Sequence, residues 1–396
     1  MGNCCACWSK ADDPTGNIAF DEGDKAFGEF HEFPIPQRGT SIAQNHLAQA
    51  AKFYGIAVDH YRKVQDANLG AALLNLATVK WDVYRSSLTE TEERSVATLD
   101  EVINLDEEAL KLWQARDSKP DQYATLLTNL AAAYQERYVK KRQHADAQEA
   151  IKLYTSVLEN TEKNTSRTYV NATMQIGITY WTLYTFQNPS TRTDADMNNA
   201  IEYFKNAHQL CGNDHLDIRY SSLYHLAWIY HYRFEKQERL QVQTPEDYLG
   251  EVIHYYRATL ELMPQTDDRY AKALKLLPML LFHRYQRDNQ QQDLREAKKW
   301  AQAALDSPDI TDVDQRHQLQ TVRDFDFGAD AETTRVAYAA VRRGTLDHFR
   351  SGSAESSGSA HSPVMIMPSI SGVELNRDLT AIISETQDIT GEPDEM

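Results

Sequence analysis

Cys4, Cys5 and Cys7 stand immediately behind Gly2 in the opening stretch MGNCCACWSK, and such a cluster is open to several chemistries. A zinc site built on Cys-Cys-x-Cys needs a fourth ligand, and the first histidine, His31, lies 24 residues past Cys7. Adjacent cysteines also chelate a tetrahedral ion poorly. A disulfide within one decapeptide closes almost no chain and so constrains little. A redox-active or unmodified terminus is a further option. The chemistry that uses every residue of the cluster is dual acylation. Once Met1 is removed, Gly2 offers its amine to a myristoyl chain, and Cys4, Cys5 and Cys7 accept palmitate as thioesters. Ala6 departs from this pattern, because it stands where the myristoylation motif places Ser or Thr.

Charge narrows the anchoring mechanism. One myristoyl chain holds a protein with a binding constant on the order of 10⁴ M⁻¹, so a second signal is required. A polybasic patch would serve, but Lys10 is followed by Asp12, Asp13, Asp21, Glu22 and Asp24, which anionic lipid repels. The second signal is therefore hydrophobic. Each buried CH₂ contributes about 0.8 kcal/mol, so one palmitate outweighs the repulsion.

No catalytic constellation accompanies the cluster. The chain of 396 residues has no H-E-x-x-H, P-loop, G-x-S-x-G or dinucleotide fingerprint. His225, His231, His254 and His283 fall inside repeating helical patterns, where packed or solvated side chains are the expectation. Cys211, just before Gly212, reads as a small buried hydrophobe. The formal charge is −17, with seven acids against three bases in residues 1–41 and eight against one in residues 351–396. An acidic chain without a basic stripe lacks the phosphate neutralisation that nucleic-acid binding needs. The sequence thus predicts a non-enzymatic protein with no cofactor, no metal, no nucleic acid and no small-molecule substrate. Neither a secretory signal nor a run of eighteen apolar residues occurs, so the expectation is a cytoplasmic protein, peripheral on the cytosolic face of a membrane.

The elements that carry these residues repeat. NLAAAYQERY (129–138), QIGITYWTLY (175–184) and HLAWIYHYRF (225–234) each place an aliphatic residue, a small residue, and aromatics three and seven positions later. Leu130, Ala131, Tyr134 and Tyr138 match Ile176, Gly177, Tyr180 and Tyr184, then Leu226, Ala227, Tyr230 and Phe234. Those spacings form one stripe of a helix, with the small residue admitting a neighbour. A second pattern follows each. Ala150, Ala200, Val252 and Ala297 are succeeded four residues on by Tyr154, Phe204, Tyr256 and Ala301, and three further by Val157, Ala207, Thr259 and Ala304. Pro120, Gly212, Pro264 and Pro308 close units. A weaker unit, 72–84 with 107–115, precedes them, and a degraded first helix lies at 273–285, where Pro278 is expected to kink the helix or shift its start.

This order of small, aromatic and proline positions resembles the tetratricopeptide repeat (TPR). The period departs from it, since Ala150 to Ala200 is 50 residues and Ala200 to Val252 is 52, against 34 in the standard unit. Long arrays in which an arginine sits beside the aromatic that ends the first helix are similar to TPR-like proteins of filamentous fungi, which often adjoin CHAT-type peptidase domains; no such domain is visible here. The resemblance implies an all-α fold, a right-handed α-solenoid of stacked antiparallel helix hairpins, with disordered N- and C-terminal tails. It also implies a concave face that binds protein or peptide partners.

The expected organisation is a disordered, acylated tether at 1–41, the helical array at 42–308, capping helices at 309–350, and a disordered acidic tail with a short amphipathic segment at 351–396. Within these, 42–65 is a first cap or an extra helix, 309–329 is less regular and 330–349 is a closing helix. Function is then a membrane-tethered scaffold or adaptor. The alternatives are a regulatory component or relative of a CHAT-type peptidase system, and a soluble repeat protein whose cysteines stay unmodified.

Overall fold

The computed structural model describes residues 14–34, 37–86, 92–115, 122–161, 166–188, 192–241, 246–326, 335–337, 339 and 341. Among them every regular element is helical, and no strand occurs. The elements pack as two compact units, with the division between Lys163 and Asn164.

The first unit holds α1 (Pro14–His31), α2 (Ser41–Val64), α3 (Leu69–Ser86), α4 (Glu92–Gln114), α5 (Tyr123–Lys141) and α6 (His144–Asn160). Each helix packs on its successor, and α3 also touches α5. The second unit holds α7 (Arg167–Phe186), α8 (Ala195–Leu210), α9 (Leu216–Leu240), α10 (Tyr248–Leu262), α11 (Asp268–Asp288), α12 (Gln291–Asp306) and α13 (Val313–Asp324). Again neighbours in sequence are neighbours in space, with additional contacts from α7 to α9 and from α11 to α13. This is the all-α hairpin stack expected of an α-solenoid. A hairpin buries one side against its own partner and the other against the next hairpin.

The stripes account for the packing. Leu130, Ala131, Tyr138, Ile176, Tyr184, Leu226, Ala227 and Phe234 are all buried. The second-helix positions Ala150, Tyr154, Val157, Ala200, Phe204, Ala207, Val252, Tyr256, Thr259, Ala297, Ala301 and Ala304 are each 0% exposed. Gly177 shows why the first helix needs a small residue. A Cβ there would stand 3.1 Å from the Phe204 ring, tighter than ordinary contact.

Three expectations are corrected. The 1–41 stretch, expected to be a disordered extended tether, contains α1, which packs on α2. The reason lies in its glycines and phenylalanines. A Cβ on Gly16 would lie 2.5 Å from the His60 ring, and one on Gly23 would lie 2.8 Å from the Tyr54 ring. These glycines let two helix backbones approach, and Ala19, Ala26 and Phe30 fill the remaining contact. Tyr54 donates to Asp24 at 2.5 Å and Tyr61 to Asn17 at 2.7 Å, which fixes the register. Second, of the two outcomes expected at Pro278, a kink or a shifted start, the shifted start does not occur, since α11 runs unbroken from Asp268 to Asp288 with Leu276, Leu277, Met279, Leu280, Leu281 and Phe282 buried around the proline. Third, the stretch expected to be less regular forms α13, started by Asp312, whose Oδ1 accepts from the Gln315 N–H at 2.8 Å.

The stretch 42–65, expected to be a first cap or an extra helix, forms α2, and because α1 packs on it α2 does not end the array. Of the closing helix, residues 335–337, 339 and 341 are described, all helical, with Ala337 and Val341 buried. The tail 351–396 lies outside the described residues. No helix among the described residues is long and apolar enough to cross a membrane.

Candidate functional site

Gly2, Cys4, Cys5 and Cys7 lie outside the described residues. Cys211 caps α8 with 1% exposure, and burial pushes its thiol up to about 12. A thiol so far from its thiolate is a poor nucleophile. His225 stacks flat on Phe204 at 4.6 Å, and burial lowers its imidazole to about 3, so it is a neutral packing group. His254 is exposed beside Tyr255. His283 is buried against the edge of Phe234 at 5.1 Å, with Glu238 at 3.7 Å.

The arginines that end the first helices do structural work. Arg137 on α5 donates from Nε and Nη2 to the two carboxylate oxygens of Asp146 on α6, at 3.0 and 2.7 Å. Arg284 on α11 repeats the pattern with Asp293 on α12, at 2.8 and 2.7 Å. Arg233 on α9 meets a tyrosine at the matching place, with its guanidinium 5.5 Å from the ring centre of Tyr248. Planar forks suit both partners, carboxylate and ring face alike. These three side chains therefore latch hairpins.

One buried polar cluster resembles an acid–base site in composition. His231 and Glu235 on α9 are 0% exposed and 3.7 Å apart. Tyr256 lies 3.5 Å from His231, and Arg239 donates to Glu235 at 3.2 Å. The enclosure leaves neither His231 nor Glu235 any face for a substrate. The carboxylate is compensated from within, by its own helix.

A different arrangement opens to the surface in the first unit. A cavity of about 20 Å³ lies between α3, α4 and α5. Its floor is Ala77, Val102 and Asp106, all buried, and its rim is Trp81, Asn129 and Ala132, all half-buried. Asp106 is 0% exposed, and neither of its carboxylate oxygens has a hydrogen-bond partner. Burial alone raises its carboxyl well above the ordinary aspartate range. Thr78 in the wall donates to the Leu74 carbonyl at 2.9 Å and accepts from Asn129 at 3.4 Å, which ties α3 to α5 at the recess.

Sequence reasoning missed this acid by one residue, because the second-helix pattern was read from Glu107 to Ala115. The signal was present. Leu99, Val102, Asp106, Ala109 and Trp113 follow the three- and four-residue steps of one helical stripe, and an acid on an apolar stripe is an anomaly. Chemically the recess holds one carboxyl group, a hydroxyl, a carboxamide and an indole. A nucleophile paired with a base is missing from its lining. Among the described residues, no three His, Cys, Asp or Glu side chains converge as metal ligands.

Compared with family models and with curated proteins, the chain matches none.

Proposed function

We propose that this protein is a helical-repeat scaffold that binds protein partners across the exposed faces of its first helices and is held at a membrane by acyl chains on Gly2, Cys4, Cys5 and Cys7. The observation that carries the scaffold reading is the surface recess rimmed by Trp81 and Asn129, two first-helix residues of different hairpins, over an uncompensated acid. Arg137 and Arg284 are engaged in latching helices together, whereas both Asp106 oxygens at the recess are without a partner. A lone acid without a nucleophile or base beside it supports recognition over catalysis.

The position of α1 bears on the anchor. Because α1 starts at Pro14, eleven residues, or twelve Cα–Cα steps, separate it from Gly2. They span at most about 43 Å when fully extended. An anchor so short keeps the first unit close to the bilayer surface, where the 41-residue tether read from sequence would have let it roam.

Two experiments test the halves separately. Membrane fractionation should shift the protein to the soluble fraction when Gly2→Ala is introduced, and again when Cys4, Cys5 and Cys7 become serine. Unchanged distribution in both variants removes the anchor. For the scaffold, a photocrosslinking residue at position 132, on the rim, should yield partner adducts in intact cells that the same residue at position 112, on α4, does not. Equal yields from both positions remove the reading.

A further inference from the structure

We infer that the recess between α3, α4 and α5 is a binding site for a protonated primary amine on an alkyl chain, its foremost source being a lysine side chain of a protein partner. The inference deepens the scaffold reading and rests on it.

The argument runs through what the recess lacks. Asp106 is enclosed, with both oxygens unpartnered, and a buried acceptor in that state is costly to leave so. The missing partner has to be a donor, and a cationic one compensates a carboxylate far better than a neutral one. Size then selects among cations. A space of about 20 Å³ accommodates one or two water-sized groups. An ammonium group fits that space. A guanidinium, planar with five donors, does not. Divalent cations are a poor match, because calcium takes six to eight oxygen ligands and magnesium a full octahedron, while one carboxyl, one hydroxyl and one carboxamide are on offer. A quaternary ammonium has no N–H to give Asp106 and calls for a cage of rings where one indole stands.

The primary amine satisfies each feature of the lining. Two of its N–H groups match the two unpartnered Asp106 oxygens. The Trp81 ring at the rim favours a cation passing over it, and the alkyl stem lies along Trp81 and Ala132 as lysine stems do on apolar surface. On binding, the ammonium brings its charge to the Asp106 carboxylate and the two form an ion pair, which draws the carboxyl back towards the ordinary aspartate range. No charged side chain lines the recess from α3 or α5 to compete for that role.

The test uses the full chain and four probes: Ac-Gly-Lys-Gly-NH₂, its Nε-acetylated form, Ac-Gly-Arg-Gly-NH₂ and n-butylamine, followed by ligand-observed NMR. The lysine peptide should bind at least about tenfold more tightly than the acetylated or arginine peptides. Asp106→Asn should reduce lysine binding by about tenfold or more, and Trp81→Leu by a few-fold. A melting temperature for Asp106→Asn no lower than wild type shows that lost binding is not lost folding. Butylamine binding without peptide binding keeps the amine chemistry and moves its source to a free small amine. Equal titrations for wild type and Asp106→Asn, or equal affinity for lysine and acetyl-lysine, overturn the inference. If that occurs while crosslinks from position 132 persist, the scaffold reading stands without it; if amine binding holds while those crosslinks vanish, the recess stands and the scaffold falls.

Discussion

Arg137 and Asp146 face each other across the turn between α5 and α6, joined by two parallel hydrogen bonds at 3.0 and 2.7 Å, with Asp146 almost wholly buried and Arg137 largely so. The same nine-residue separation joins Arg284 to Asp293. In both hairpins a residue in the left-handed region, Arg142 at φ 58° or Asn289 at φ 54°, turns the chain back immediately after the first helix. Turn and ion pair together set the angle at which the second helix leaves.

Breaking the Arg137 fork should therefore loosen α5 and α6. Arg137→Ala leaves Asp146 buried without its principal partner, a change expected to cost about 2–3 kcal/mol. Hydrogen exchange of the α5 and α6 amides should accelerate by roughly 30- to 160-fold. Arg137→Lys should fall between, since an ammonium cannot make both bonds in plane. The double variant Arg137→Met with Asp146→Leu should recover most of the loss, because no unpaired charge remains. Exchange rates unchanged in Arg137→Ala would show that the latch carries no energy.

The glycines of α1 separate close packing from flexibility. Gly23→Ala pushes a methyl against the Tyr54 ring at 2.8 Å, whereas Gly28→Ala meets nothing within 4 Å. The first should cost about 1–3 kcal/mol and expose the α1 amides to exchange. The second should stabilise α1 by about 0.5–1 kcal/mol, the ordinary advantage of alanine over glycine in a helix. If 14–31 behaved as an extended tether, both substitutions would be silent.

That pair of glycines also shows where sequence reading reached its limit. Stripe positions such as Ala150, Tyr154 and Val157 could be placed because three-and-four spacing has one common cause, a helix face seeking cover. Gly16, Gly23 and Gly28 have the same letter but two causes, and composition cannot tell a glycine that admits a tyrosine ring from one open to solvent. Only the partner distinguishes them, and Tyr54 lies 31 residues beyond Gly23. Arg137 was legible as a recurrent residue but not as a latch, because its role depends on Asp146 arriving after a tight turn. Asp106 was legible in principle as an acid on an apolar stripe. Whether a hidden donor answered it was not, since that donor could have come from α3 or α5.

His225 should govern part of the acid sensitivity of the second unit. Its folded imidazole is lowered to about 3 by burial against Phe204, while the unfolded group titrates near 6.5. The unfolded state thus binds the proton first. Stability from this residue is complete above pH 6.5 and is lost as pH falls from there towards 3, at up to about 1.4 kcal/mol per pH unit. His225→Phe, which preserves a flat ring over Phe204, should remove that slope from the pH dependence of unfolding measured between pH 6.5 and 4. An unaltered slope would show that His225 is not buried as a neutral ring.

Asp106 predicts the opposite sign, and the contrast ties stability to recognition. Its folded carboxyl is raised by burial, so its relative contribution is most favourable below the ordinary aspartate range and declines as pH rises. At pH 7 the fold holds a group that would ionise freely if unfolded. Asp106→Asn removes that penalty while keeping shape, and should raise the stability of the first unit by about 1–3 kcal/mol at pH 7. The gain should shrink as pH is lowered towards 4, where the unfolded carboxyl also holds its proton. Chemical denaturation of both chains at pH 7 and pH 4 measures this directly. A substitution that strengthens the fold while abolishing amine binding would identify Asp106 as a group whose stability cost is tied to its ligand. If Asp106→Asn instead weakens the fold at pH 7, the carboxyl is a structural contact, and the recess beside it is not a binding site.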